Sequence, residues 1–159
     1  MKKRTVAALC MAGIACAMFA VPYFNGMGCN YEMTINVDNT NYEGVCRWGV
    51  LHIVETDILT GSRWVVSARQ LSFMNQIIYL VHTRHQLNTG DIQSSLNTYN
   101  QQQSGFTVFN YSWRSVSENE MVIFQVSPHH EVLKAKVDGY IDAWDSLVDN
   151  KKTWLANHQ

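Results

Sequence analysis

Thr5–Phe24 (TVAALCMAGIACAMFAVPYF) is a run of twenty residues without a charge, preceded by Met-Lys-Lys-Arg. A basic start followed by an apolar run is an export signal. Three processing outcomes fit it. Signal peptidase cuts after Ala17, in the A-x-A site Ala15-Cys16-Ala17; lipoprotein processing occurs at Cys16, where Gly13 replaces the usual Leu-like residue; or nothing cuts and the run stays as an anchor. At ~1.5 Å rise per residue, twenty helical residues span about 30 Å, the hydrocarbon thickness of a bilayer. A cleavable apolar core is usually about 7–15 residues. This one continues through Met18, Phe19, Ala20 and Val21, so its length favours the uncleaved anchor. The chain then divides into a cytoplasmic start (1–4), a single transmembrane pass in a bacterial inner membrane (5–24), a short linker (25–29) and a periplasmic domain (30–159).

That domain is small enough for one core. The whole chain has 159 residues, is 47% hydrophobic and 16% charged, and contains two prolines, which excludes a fibrous or largely disordered protein. Its net charge of −1 conceals an asymmetry, because three of the 12 basic residues are Lys2, Lys3 and Arg4. Residues 25–159 carry nine basic and 13 acidic residues, a net −4. A domain of that sign without a basic stripe is unsuited to direct binding of nucleic acid.

Two of the four cysteines, Cys10 and Cys16, lie in the apolar run, where a thiol acts as a small hydrophobe. Cys29 and Cys46 are the exported pair, an even number in an oxidising compartment. Zinc is the competing use, but two cysteines without nearby partner ligands make a weak site. A Cys29–Cys46 disulfide is expected.

Alternation organises the exported domain. Tyr31, Met33, Ile35 and Val37 share one face of a strand, Asp38-Asn39-Thr40-Asn41 is turn chemistry, and Tyr42–Glu55 reads as a long return strand. Arg63–Phe73 and Gln76–Thr83 form a second pair joined near Met74-Asn75; Phe106–Arg114 and Glu120–Ser127 form a third, joined through Ser115–Asn119. Polar Asp91–Gln102 is a short helix or ordered loop. The stretch 129–157 has Leu133, Val137, Tyr140, Ile141, Trp144, Leu147 and Val148 at helical spacing, with Ser127 as N-cap and Pro128 at the first helical position. The fold class expected is α+β: a transmembrane helix, an antiparallel sheet or lipocalin-like partial barrel, and a C-terminal amphipathic helix packed on the sheet. The apolar strands Gln76–Val81 and Met121–Val126 carry few of the lysines and prolines that blunt an edge, so either is able to pair with a strand of another chain.

One expectation conflicts with the disulfide. A turn at Asp38–Asn41 sets Val37 opposite Tyr42, which puts Cys46 opposite Met33 and Cys29 opposite Val50. Four residues of offset is about 13 Å, whereas bonded cysteines have Cα atoms within about 7 Å. Either the register breaks or the chain at Gly28-Cys29 folds back.

No catalytic constellation is present: there is no nucleophile elbow, zinc-protease motif, phosphate loop or nucleotide fingerprint. Glu55 and Asp57 are the one close carboxylate pair away from the C-terminal stretch that would suggest acid/base work, and their place at a strand end reads as solvated loop charge. The chain is read as a non-enzyme without a cofactor. His82-x-x-His85 with His129-His130 is too sparse for a metal set. Titration is the sharper use of histidine, and five are candidates for pH sensing: His129, His130, His52, His82 and His85. His129 and His130 would occupy a helix start, where the dipole opposes protonation; His52 shares strand parity with Cys46 and stands beside the bridge.

The layout of basic start, single anchor, two exported cysteines and a β-rich domain resembles the small accessory proteins of ToxR-type membrane-bound transcription activators, the group of PsaF, MyfF, ToxS, FidL and VtrC. Locally, Ala68–Asp91 (ARQLSFMNQIIYLVHTRHQLNTGD) looks like the central hairpin of the FidL-like members. The resemblance carries over Cys29 and Cys46. It implies a partner, the periplasmic domain of a transcription activator in the same membrane, which the chain stabilises. It also implies a lipocalin-like cavity for an apolar, bile-like ligand or a response to acid, controlling virulence or fimbrial genes. The alternative is a free periplasmic or lipid-anchored binding protein for a small molecule, acting without a regulator.

Overall fold

The computed structural model describes residues 2–90, 94–127 and 130–148, with side chains from residue 11 onward except those of residues 12, 17, 126 and 127. Helix α1 (Lys2–Met27) is followed by strands β1 (Asn30–Val37), β2 (Thr40–Arg47), β3 (Val50–Asp57), β4 (Arg63–Phe73) and β5 (Gln76–Asn88). Helix α2 (Ser95–Gln103) comes next, and then β6 (Val108–Ser117), β7 (Glu120–Ser127) and β8 (Glu131–Tyr140). All eight strands run antiparallel to their sequence neighbours, and β8 pairs with β1 to close a barrel. The expected partial barrel is thus a complete one within a single chain. β5 and β7 are paired on both sides, so neither is the free edge that the sequence suggested.

Strand alternation fills the interior. Tyr31, Met33 and Ile35 of β1, Cys46 of β2, Leu51 of β3, Ile77 of β5, Met121 and Ile123 of β7, and Ala135 and Val137 of β8 are buried together. Burial of each large aliphatic side chain is worth about 1.5–3 kcal/mol, which makes this layer the main source of stability.

The long return strand Tyr42–Glu55 is two strands. Trp48 and Gly49 have φ of 54° and 76°, the pair of positive values a tight two-residue hairpin turn requires. The first hairpin is also tighter than expected: Val37 pairs with Thr40, which leaves Asp38-Asn39 as the whole turn. That moves Cys46 opposite Tyr31, two residues from Cys29 and not four. The disulfide Cys29–Cys46 forms with Cα atoms 5.8 Å apart. The conflict between bridge and register came from the turn length.

The C-terminal amphipathic helix expected over 129–157 is not what forms. Glu131–Tyr140 is β8, and among the described residues of this stretch only 143–148 are helical; residues 149–157 lie outside the described residues. Leu133, Ala135 and Val137 alternate inward, and pairing with β1 and β7 satisfies the ladders that a helix would leave open. Gly139 ends the strand at φ +105°, where an added Cβ would meet the Asn30 carbonyl oxygen at 2.1 Å.

The two ends of the barrel differ. At one end α1 arrives, its last turn packed on β4: Asn25 Nδ2 donates to the Ser72 carbonyl (3.1 Å), and its Oδ1 accepts from the Trp144 amide (3.0 Å). Beneath lies a buried chain of bonds, with the Tyr31 hydroxyl donating to Gln70 Oε1 (2.9 Å) and Gln70 Nε2 donating to the Ile141 carbonyl (2.7 Å). This end is shut. The other end is covered by α2. Thr5–Phe24 falls within α1, and among the described residues no helix is long and apolar enough to cross a membrane.

Candidate functional site: a lidded cavity in the barrel

The interior is not filled. A cavity of about 110 Å³ remains between the core layer and α2, walled by side chains such as Ile35, Ile53, Val66 and Phe109. Its lower boundary includes Tyr79, whose hydroxyl meets that of Tyr31 at 2.8 Å and whose ring stands edge-on to Tyr111, centroids 5.5 Å apart.

The upper end is polar. Glu55 follows Leu51 and Ile53 on the inward face of β3 and is 6% exposed. Asp57, the next inward residue, is 3% exposed. The reading of this pair as solvated loop charge is therefore wrong: both are buried. Burial pushes the Glu55 carboxyl above its ordinary value, opposed by a hydrogen bond from Asn100 and by the nearby Arg84 charge. At Asp57 burial also acts upward. The hydrogen bonds from Ser94, Thr60 and Leu59 outweigh it and hold the carboxyl low.

Arg84 reaches the cavity because of an irregularity in β5. Ser67 pairs with Thr83 and Ala68 with Val81, so His82 is an extra, bulged residue. The bulge exchanges the two faces. Arg84 comes to line the cavity, its guanidinium 5.6 Å from the Phe109 ring centroid, while His82 and His85 are exposed.

Helix α2 is held over this end by amide side chains on one face. Asn97 Oδ1 accepts from Trp64 Nε1 (2.9 Å), Gln86 Nε2 (2.7 Å) and the Ser62 hydroxyl, and its Nδ2 donates to the Thr89 carbonyl (2.9 Å). Asn100 bridges the cavity's charges: Nδ2 donates to Glu55 Oε2 (2.6 Å) and Oδ1 accepts from Arg84 Nη1 (2.7 Å). The Ser94 hydroxyl, at the helix start, donates to Asp57 Oδ2 (2.7 Å). Asn97, Asn100 and Gln103 follow at threefold spacing, and each is buried. An apolar-periodicity search passes over such a face, because the residues that dock it are polar.

Tyr42 and Tyr99 complete the site. Burial raises both phenols, helped by the neighbouring Glu55 charge, and that of Tyr99 is pushed up to about 12. Both stay neutral donors at physiological pH. Gln125 lines the same end, and its Nε2 is buried without a partner among the described residues.

Among the described residues, none of the histidines singled out from sequence lines this cavity. His52 is exposed, its Nδ1 2.8 Å from the Ser67 hydroxyl; His130 is exposed just ahead of β8; His129 lies outside the described residues. The helix whose dipole was to act on His129 and His130 is replaced by a strand. Among the described residues no three His, Cys, Asp or Glu side chains are grouped to hold a metal. What the barrel brings together is Glu55, Arg84, Asn100, Tyr42, Tyr99 and Gln125, and inward strand parity was the signal for Glu55 and Gln125. No family model matches the chain, and no curated protein does.

Proposed function

We propose that the barrel is a binding domain for a small, largely apolar molecule carrying a polar end. One observation carries this reading: an apolar cavity of about 110 Å³ with Arg84 and the unpartnered Gln125 Nε2 at one end, beneath a helix held by side-chain hydrogen bonds and not by a core of its own. Apolar pockets with a few convergent polar groups are the usual form of small-molecule sites. The described side chains of the cavity are apolar residues with a few hydrogen-bonding groups at one end, which supports binding as the reading.

The test is displacement of a lipophilic fluorescent dye from the full chain, with Ala68→Phe as the control. Ala68 lines the cavity and is 3% exposed, so a phenyl ring there fills the space. Wild type binds the dye, and Ala68→Phe, folded by circular dichroism, does not. Equal dye binding by both proteins would remove the cavity from consideration.

The charge-free run in α1 favours a second element of the reading, that the domain is tethered to a bacterial inner membrane with the barrel in the periplasm. The chain then serves as the accessory partner of a membrane-bound transcription activator, reporting a ligand or acid signal that controls virulence or fimbrial genes. The partner would dock on the outer face of the barrel, because among the described residues the eight strands close on one another. An intact N-terminus in the membrane fraction, with the activator's periplasmic domain recovered by cross-linking, supports this. A mature form beginning at Cys16 or Met18 supports instead a lipid-anchored or free periplasmic binding protein.

A further inference from the structure

The donors around the upper cavity outnumber the acceptors left to them, and this says what kind of ligand end belongs there. Arg84 bonds Asn100 through one nitrogen, and among the described residues it makes no ion pair. Gln125 Nε2 is buried without a partner among the described residues, and Tyr42 and Tyr99 line the same end. Two carboxylates stand nearby. Glu55 already accepts from Asn100, and Glu131, at the rim, is exposed to water. A cation at this end would leave the free N–H groups of Arg84 and Gln125 Nε2 without an acceptor, because both of these offer donors only. A lone hydroxyl would satisfy one or two of the donors. A carboxylate offers about four acceptor positions and matches a guanidinium in two parallel bonds.

Resting on the binding reading above, we infer that this end of the cavity receives the carboxylate of a small amphipathic acid, held by Arg84 and Gln125 with the Tyr42 and Tyr99 hydroxyls. The apolar body runs down the barrel toward Ile77 and Tyr79. Its size follows from the volume: a cavity of about 150 Å³ holds benzene, so 110 Å³ suits a body of about six carbons.

The experiment is isothermal titration of the full chain in detergent at neutral pH with sodium hexanoate, 1-hexanol and hexylamine, three probes sharing one tail. Hexanoate binds at least tenfold more tightly than hexanol, and hexylamine binds least. Gln125→Leu, which breaks no existing bond of that side chain's donor, weakens hexanoate by about tenfold and hexanol by clearly less. Arg84→Met weakens hexanoate further, with folding checked by circular dichroism because Asn100 loses a partner. Hexanol equal to hexanoate, or hexylamine tightest, overturns the head-group assignment while leaving the cavity a binding site. Binding of none of the three also overturns the assignment, and the dye displacement then decides whether the binding reading falls with it.

Discussion

Replacing both Cys29 and Cys46 by alanine isolates the contribution of the disulfide to the barrel. The bridge joins residues 17 apart in sequence, and in the chain-entropy account a loop of this size removes about 3 kcal/mol of freedom from the unfolded chain. Alanine is the better substitute, because Cys29 is 2% and Cys46 0% exposed and a serine hydroxyl would be buried there. Against a domain stability of about 5–15 kcal/mol the loss is large. With a urea slope of about 1–3 kcal/mol per molar, the midpoint falls by roughly 1–3 M. Wild-type protein treated with reductant shifts by a similar amount, and the alanine variant does not respond to reductant. Because the bridge lies at the α1 end, amide exchange quickens around residues 29–31 and 46–49, while α2 and dye affinity are little changed. A shift below about 1 kcal/mol in both the variant and the reduced wild type would refute the assignment of this stability to loop closure.

Other outcomes are equally specific. Glu55 has a raised folded pKa, so the native state binds more protons than the unfolded chain from about pH 4.5 upward, and stability falls as pH rises through that interval. Glu55→Gln keeps an acceptor for Asn100 and removes this slope; chemical denaturation finds it more stable than wild type at pH 7 and level with it near pH 4, and an unchanged slope would exclude Glu55 as its source. Gly139→Ala places a Cβ against the Asn30 carbonyl at a left-handed φ, and thermal melting shows a loss of at least about 1–3 kcal/mol. Replacing His52, His82, His85 and His130 together by Gln leaves dye affinity at pH 7.5 and pH 5.5 unchanged, since none of the four lines the cavity; a changed ratio between the two pH values would return histidine to the site.

How far the fold was legible depended on whether side-chain parity ran unbroken. Arg63–Phe73 and Glu120–Ser127 match β4 and β7 at both ends, and Tyr31, Met33 and Ile35 point inward as their alternation says. Parity failed where the backbone interrupts it without a strong turn residue pair. Trp48-Gly49 turns the chain between Cys46 and Leu51, yet apolar residues continue on both sides and conceal it. At His82 one bulged residue decides that an arginine and not a histidine enters the cavity, and a single sequence gives no sign of it. Leu133, Val137 and Ile141 satisfy a helical repeat as well as Leu133, Ala135 and Val137 satisfy a strand. Only the unpaired sides of β1 and β7 choose between them. The candidate site was hidden for a different reason: its organising residues are asparagines in the near-low-complexity run Asn97–Ser104, which dock by hydrogen bonds.

Because Asn30 pairs with Tyr140, the chain enters and leaves the barrel at neighbouring points of the α1 end. Tension applied between those two points therefore pulls across the β1–β8 ladder and opens it one pair at a time, the weakest direction in which a sheet can be loaded. The disulfide does not guard this seam, since it fastens β1 to β2. What lies in the path of the force is the segment just after β8. Ile141 is tied by its carbonyl to Gln70, Asp142 to the Ser72 hydroxyl, and the Trp144 amide to Asn25. These bonds act as a strain relief, taking a load from the downstream chain into β4 and α1 before it reaches the seam. A load reaching residue 148 thereby enters the barrel through β4 and α1, at the end opposite α2.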